Sequence, residues 1–101
     1  MKKIFVCSPL RGNYNENLDN AKKYTKYVID KGHIPFTPHI YFTQVLNDGV
    51  IKERTQGINL GIKWLSMCDE LWYFGYIISE GMQKEIDMAK ELKLIIVNIK
   101  C

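Results

Sequence analysis

The sequence predicts an α/β protein in which a four-stranded parallel sheet and its connecting helices form a three-layer sandwich. Four short apolar runs alternate along the chain with segments whose apolar residues recur at helical spacing. This alternation is typical of parallel sheets built from right-handed crossovers. No linker, repeat or low-complexity tract interrupts the pattern, so we expect a single domain over residues 1–101.

The first half of the chain is expected to contain two strands and two helices. Residues 3–7 are predicted to form a buried strand, and residues 17–32 a helix with apolar residues at helical spacing. Gly32 suits the left-handed position that follows a helix. A short strand over 33–37 and a short helix over 40–46 complete this half.

The second half is expected to contain two more helices and two more strands. Apolar residues at helical spacing between Ile58 and Leu65 mark one face of a helix, and a strand over 70–74 follows. The last helix is predicted over 82–92. Residues 94–99 are apolar nearly throughout, as expected for a strand that is covered on both faces.

The order of the strands determines where a ligand would bind. With the second strand on one side of the first and the third on the other, we expect the order 2-1-3-4. The connections over 8–14 and 75–81 then leave the sheet in opposite directions and open a crevice at its carboxyl edge. The sequence therefore predicts that these two loops meet.

Composition argues against several classes of protein. There is no run of about 18 apolar residues, so no membrane span is expected. The net charge of +3 is small and its lysines are scattered, which argues against a nucleic-acid partner. Cys7, Cys68 and Cys101 lack CxxC spacing and indicate reduced thiols, so we expect a cytoplasmic protein.

The two predicted loops carry groups that suit an anion. After the third strand, the chain turns through glycine into a helix that begins near Ser79, where free N–H groups and a hydroxyl meet. Opposite it, Arg11 in a loop of small residues can hold a phosphate bidentately, with Ser8 adding a contact. An exposed arginine in a turn explains Arg11 about equally well.

Glu85 lies one turn into the last helix, at the edge of its buried face. A carboxylate there can attack an anomeric carbon or bind ribose hydroxyls. Alternatively, it only stabilises the helix dipole, an interpretation that suits Glu80 better.

His39 and Tyr41 follow the second strand at the same edge and could stack on a base, although aromatic residues here more often pack in the core or rim. His33 and His39 have no metal-ligand spacing with Cys or carboxylate residues, so neither a metal nor another cofactor is expected.

With these residues in place, the chain resembles the nucleoside 2-deoxyribosyltransferase superfamily, and most closely the small domains beside its transferases and 2′-deoxynucleoside 5′-phosphate N-hydrolases. The resemblance implies a flavodoxin-like, Rossmann-like fold and cleavage or exchange of N-glycosidic bonds. It spans nearly the whole chain and rests on Ser8-Pro9-Leu10-Arg11-Gly12, Pro38-His39-Ile40-Tyr41-Phe42, Cys68-Asp69-Glu70-Leu71-Trp72 and Ser79-Glu80-Gly81-Met82.

The resemblance implies roles for particular residues. Glu85, four residues after Gly81, matches the nucleophile, and Ser79 matches a serine that contacts phosphate in the hydrolases. A phosphorylated ligand is therefore expected. The expected ligand-binding residues are Ser8, Pro9, Leu10, Arg11, Gly12, His39, Tyr41, Gly75, Ser79, Glu80, Gly81 and Met82.

Two positions depart from the family pattern. Gly61 falls where the family has its proton-donating aspartate, and Ile4 falls where a tyrosine helps to position the nucleophile. General acid catalysis is typically worth about 10²–10⁴-fold. Asp48 is the only credible substitute for the acid, because Asp69 is expected at the far end of its strand.

Three hypotheses follow. The first is a protein that binds a nucleotide-derived small molecule, such as an ADP-ribose-like or cyclic nucleotide, without efficient catalysis, as a phage or mobile-element protein that sequesters a signal would. The alternative is an N-glycosidase or deoxyribosyltransferase that uses Glu85 and Asp48. The third is an interaction module with a vestigial crevice. Because so short a chain makes a shallow crevice, we expect a homodimer or larger homo-oligomer.

Overall fold

The computed structural model describes residues 1–100 and has the predicted strand order. Its elements in chain order are β1 (Lys3–Cys7), α1 (Tyr14–Asp30), β2 (Ile34–Phe36), α2 (Pro38–Phe42), α3 (Ile51–Ser66), β3 (Glu70–Phe74), α4 (Glu80–Glu91) and β4 (Ile95–Ile99). The strands pair in parallel in the order β2-β1-β3-β4. The predicted α/β class and sheet order are confirmed.

The sheet separates two apolar clusters, because side chains of a strand alternate between its faces. On one face, Phe5 and Cys7 pack against residues of α3 and α4 such as Leu65 and Ile86. On the other face, Ile4 and Val6 pack against Val28, Tyr24 and Tyr27 of α1. The molecule is therefore a three-layer sandwich with α1 on one side and α3 and α4 on the other.

The fourth strand is less buried than the sequence predicts. Ile95 is 58% exposed, and the remaining residues of β4 are only partly buried. Ile96 packs on one face of the sheet and Val97 and Ile99 on the other, so both faces are covered, but only in part, because β4 is an edge strand that pairs with β3 alone. By contrast, β1 lies between two strands and its residues Ile4 to Cys7 are fully buried.

All four helices begin earlier than predicted: α1 begins at Tyr14 instead of residue 17, and α3 at Ile51, ahead of the face marked from Ile58. The short helix α2 starts at Pro38, not at residue 40, because proline at a first helical position lacks only an N–H that would be unpaired anyway. Helix α4 starts at Glu80, since the Ser79 hydroxyl accepts a hydrogen bond from the Met82 N–H at 3.2 Å. Gly32 follows α1 with φ +85°, as expected for the left-handed position.

The carboxyl ends of β1 and β3 lie side by side at the point where their connections diverge. Gly12 and Gly75 both have φ +94°, a conformation that allows each connection to turn away from its strand. This arrangement brings the loop after β1 and the start of α4 to one edge of the sheet. Within residues 1–100, no helix is long and apolar enough to cross a membrane.

Candidate active site

A cavity of about 600 Å³ opens at the carboxyl edge of the sheet. This volume lies in the range of small-molecule sites. Four elements form its wall: the loop after β1, the helix α2 with the loop that follows it, the first three turns of α3, and the start of α4. The wall includes Ser8, Leu10, Arg11, His39, Asp48, Ser79, Glu80, Gly81, Met82 and Glu85 from the predicted set.

Ser8 leaves an unsatisfied hydroxyl in this wall. The residue is 2% exposed, and its Oγ has no hydrogen-bond partner among the described residues. A buried polar group without a partner costs about 1–3 kcal/mol. A ligand with a polar atom at this position would recover that free energy.

The start of α4 adds further donors beside Ser8. Ser79 satisfies the N–H of Met82, while the first N–H groups of a helix have no carbonyl partner within it. Glu80, Gly81 and Met82 all line the cavity. This end of the cavity therefore combines N–H groups, two hydroxyls and the positive end of a helix dipole, all of which suit an anion.

His39 fixes the loop after β1 from the opposite wall. Its Nε2 lies 2.8 Å from the carbonyl oxygen of Ser8, and because a carbonyl only accepts, Nε2 carries the proton. Burial lowers the pKa of His39, so the ring is neutral near pH 7. The imidazole thus holds the backbone of Ser8 in place.

Glu85 faces the cavity from the second turn of α4 and meets β1 at Cys7. Burial raises the pKa of this carboxyl to about 7, and a hydrogen bond from the Cys7 thiol opposes the increase. The Cys7 thiol also lies 3.8 Å from the Met82 carbonyl oxygen. Near neutral pH, the cavity therefore contains a carboxyl group that is poised between its protonated and ionised forms.

The two positions that depart from the family pattern lie in different places. Gly61 lines the cavity, and a Cβ added there would meet Pro38 atoms at 3.7 and 3.9 Å, which is ordinary contact. Ile4, however, is buried in the cluster on the α1 face. The expectation that position 4 faces the pocket was wrong, because strand alternation places Cys7, not Ile4, beside Glu85.

Sequence reasoning missed the contribution of α3. Arg54, Gly57, Ile58, Gly61 and Ile62 all line the cavity at the spacing of one helix face. Ile58 and Ile62 were recognised as a helical face, and counting back four residues from Ile58 would have found Arg54. Asp48, in the loop before α3, also lines the cavity, and its charge acts on His39.

Pro9, Gly12, Tyr41 and Gly75 belong to the predicted set but do not line the cavity. Tyr41 is 55% exposed, and its ring meets Phe42 edge-on and lies tilted against Trp64. Gly75 is tied to β4, since its N–H donates to the Ile99 carbonyl at 2.9 Å. Within residues 1–100, no group of three or more His, Cys, Asp or Glu side chains is placed to hold a metal ion.

The fold is that of the 2-deoxyribosyltransferases. A 2-deoxyribosyltransferase from Bacillus psychrosaccharolyticus superposes with a TM-score of 0.78 at 20% identity, over 97% of this chain and 72% of the other. The CMP N-glycosidase BcmB of Clostridium botulinum superposes with a TM-score of 0.60 at 16% identity, over 98% of this chain and 71% of the other. A 2-deoxyribosyltransferase from Leishmania mexicana superposes with a TM-score of 0.58 at 18% identity, over 99% of this chain and 65% of the other. The resemblance inferred from the sequence is confirmed at the level of the fold.

The model of a domain of unknown function, DUF7768, matches residues 2–99, and the chain belongs to that family. No curated protein matches the chain.

Proposed function

We propose that this chain binds a nucleotide or a nucleotide-derived small molecule in the cavity without efficient turnover. One observation carries the proposal. The same cavity combines the unsatisfied hydroxyl of Ser8, in the loop after β1, with the start of α4 and the carboxyl of Glu85, while a glycine occupies position 61 in its wall.

The two ends of the cavity suit the two ends of a nucleoside phosphate. A phosphate would receive hydrogen bonds from Ser8, Ser79 and the first N–H groups of α4, with Arg11 supplying charge. The sugar would then lie near Glu85. Because the pKa of this carboxyl is near 7, it can donate a hydrogen bond to a ribose oxygen or accept one from a ribose hydroxyl.

Efficient cleavage of an N-glycosidic bond needs a general acid in addition to these binding groups. The leaving base must take up a proton, and a missing general acid typically lowers the rate by about 10²–10⁴-fold. Position 61 has no side chain to donate that proton. A ligand held in this way would be retained rather than consumed, which suits sequestration of a signalling nucleotide in the cytoplasm by a phage or mobile-element protein.

A second candidate is an N-glycosidase or deoxyribosyltransferase. It is favoured by the presence of Asp48 and Glu85 in one cavity and by the activities named for two proteins of the same fold. The Glu85 carboxylate would form a bond to the anomeric carbon as the bond to the base breaks, and Asp48 would protonate the departing base. Water or an acceptor base would then release the sugar from Glu85.

Isothermal titration with deoxynucleoside monophosphates, ADP-ribose and cyclic ADP-ribose isomers, followed by chromatography for free base, separates these functions. We expect binding without base release. The affinity should fall about tenfold in Arg11→Gln. Lys22→Gln, an exposed change on α1, is the matched control and should bind like the wild type. Absence of binding to every compound would contradict the proposal. Base release that disappears in Glu85→Gln, but not in the exposed Glu91→Gln, would establish the second candidate.

A further inference from the structure

The cavity contains a second cationic group that its acidic residues do not neutralise. Arg11 and Arg54 both line the cavity, and neither guanidinium group has an ion-pair or hydrogen-bond partner among residues 1–100. An arginine beside a cavity is suited to a planar anion such as phosphate, which it binds bidentately.

Of the four acidic residues in the wall, three interact with groups other than the arginines. Glu53 accepts a hydrogen bond from the Asn47 N–H at 3.0 Å, and Glu80 forms an exposed ion pair with Lys84 at 3.7 Å. The Glu85 carboxyl accepts a hydrogen bond from the Cys7 thiol. Asp48 has no such bond, and its charge acts on His39. Both arginines therefore remain available to a ligand.

Arg54 lies well away from the anion-binding end of the cavity. Gly61 packs against Pro38, and the next residue, His39, contacts the Ser8 carbonyl, so Gly61 lies near the anion-binding end. Arg54 is seven residues earlier on α3, which corresponds to about 10 Å along the helix axis at 1.5 Å per residue. Gly61 is buried beside Pro38, whereas Arg54 is only partly buried, so the arginine lies toward the mouth. Gly57 and Gly61 line the cavity between these two levels and present no side chain there.

We propose that Arg54 forms a second anion subsite, and that the ligand is a nucleotide with two phosphate groups on opposite sides of a ribose. The inference rests on the proposed nucleotide site and names its ligand class. One phosphate binds at Ser8 and the start of α4, and the other binds Arg54 at the mouth. A diphosphate chain fits less well, because it keeps both phosphates at one end of the nucleoside.

Calorimetric titration with adenosine and cytidine 5′-monophosphates, their 5′-diphosphates and their 3′,5′-bisphosphates tests the subsite. Of the two bisphosphates, the one that the wild type binds more tightly is expected to bind at least about tenfold more tightly than the monophosphate of the same nucleoside. Arg54→Gln should abolish that ratio, because it should lower the bisphosphate affinity at least about tenfold more than the monophosphate affinity. Arg54→Lys should retain part of it, and Lys52→Gln, an exposed change on the same helix, should retain all of it.

Two other results have separate meanings. Equal affinity for monophosphate and bisphosphate in the wild type, or an equal loss of both in Arg54→Gln, would overturn the second subsite and leave the nucleotide site intact. A wild type that binds none of these compounds, nor any from the wider panel, would overturn the proposed function and this inference together. Thermal melting of each variant confirms that it is folded before its affinity is interpreted.

Discussion

The carboxyl of Glu85 has conflicting requirements for stability and for chemistry. Burial favours its protonated form and raises its pKa to about 7. A nucleophile must be ionised, whereas either form can bind a sugar hydroxyl. Near pH 7, the protein therefore keeps a group in its cavity that destabilises the fold whenever it loses its proton.

This conflict predicts a pH-dependent effect of Glu85→Gln on stability. The unfolded carboxyl ionises near pH 4.5 but the folded one near 7, so the unfolded state binds fewer protons between these values and wild-type stability falls as pH rises. Glutamine removes this loss. Urea denaturation should show equal stability at pH 4 and a variant more stable at pH 8, by up to about 3 kcal/mol. A difference that is independent of pH would contradict the assignment.

Cys7 is predicted to position and tune Glu85. Its thiol donates to the carboxylate and lowers the pKa of Glu85, so Cys7→Ala should raise that pKa above 7 and shift any pH-dependent binding to higher pH. An NMR titration of the Glu85 side-chain carbon measures the shift. Cys68→Ala is the matched control, because that buried thiol donates to the Trp64 carbonyl. Equal titration curves for the two variants would exclude this role for Cys7.

The sequence identified Glu85 and Ser8 but not the contact that links Glu85 to β1. Position in the strand decides which side chain meets the carboxyl, and one residue of offset places a side chain on the other face of the sheet. Alignment to the family therefore indicated Ile4, whereas the alternation along β1 places Cys7 on the face of the sheet that packs against α4.

At the scale of elements, α3 forms a large part of the cavity wall. Its cavity face carries glycines at 57 and 61, which lower helix propensity by about 1 kcal/mol each relative to alanine. A glycine inside a helix is expected where a larger side chain would occupy space that a ligand needs.

Restoring an acid on this helix face should convert binding into catalysis. Gly61→Asp adds a carboxyl where a Cβ meets only Pro38 at ordinary contact distance. If the missing donor limits turnover, base release from a bound deoxynucleoside monophosphate should rise at least about 100-fold. Gly61→Asn has the same shape without the acid and should stay inactive. Equal activity of the two variants would show that position 61 does not limit the reaction.

Element boundaries were predictable where hydrophobic patterns were strong. Residues 3–7 and 70–74 match β1 and β3, because central strands carry continuous apolar runs. The start of α2 and the cavity face of α3 were missed. The intervening segment 43–50 has no strong periodicity, so only tertiary packing decides that α3 begins at Ile51 and turns Arg54 toward the cavity.

At the scale of the whole molecule, the strand order alone was enough to locate the site. β1 and β3 are adjacent and parallel, but the strand order reverses between them, so the connections that follow them leave toward opposite faces of the sheet. The groups proposed to bind an anion lie on those two connections. The depth of the cavity could not be predicted, because it depends on how α2 and α3 pack over the edge of the sheet.

The surface beside the cavity predicts self-association. Tyr76 and Ile77, in the loop before α4, are 80% and 82% exposed, and Ile51 at the start of α3 is 74% exposed. Large apolar side chains this exposed favour burial in a subunit contact. Sedimentation at micromolar concentration should give a homodimer or larger assembly, and Ile77→Lys should weaken it. A monomeric wild type would contradict this expectation.

The central claim is retention of a nucleotide without turnover, and one experiment tests it most directly. The protein is incubated in molar excess with each nucleotide of the panel, protein is removed by filtration, and the filtrate is analysed before and after heat denaturation. We predict that one compound disappears from the filtrate and returns chemically intact on heating. Free base that accumulates with time, or filtrates that never change, would contradict the claim.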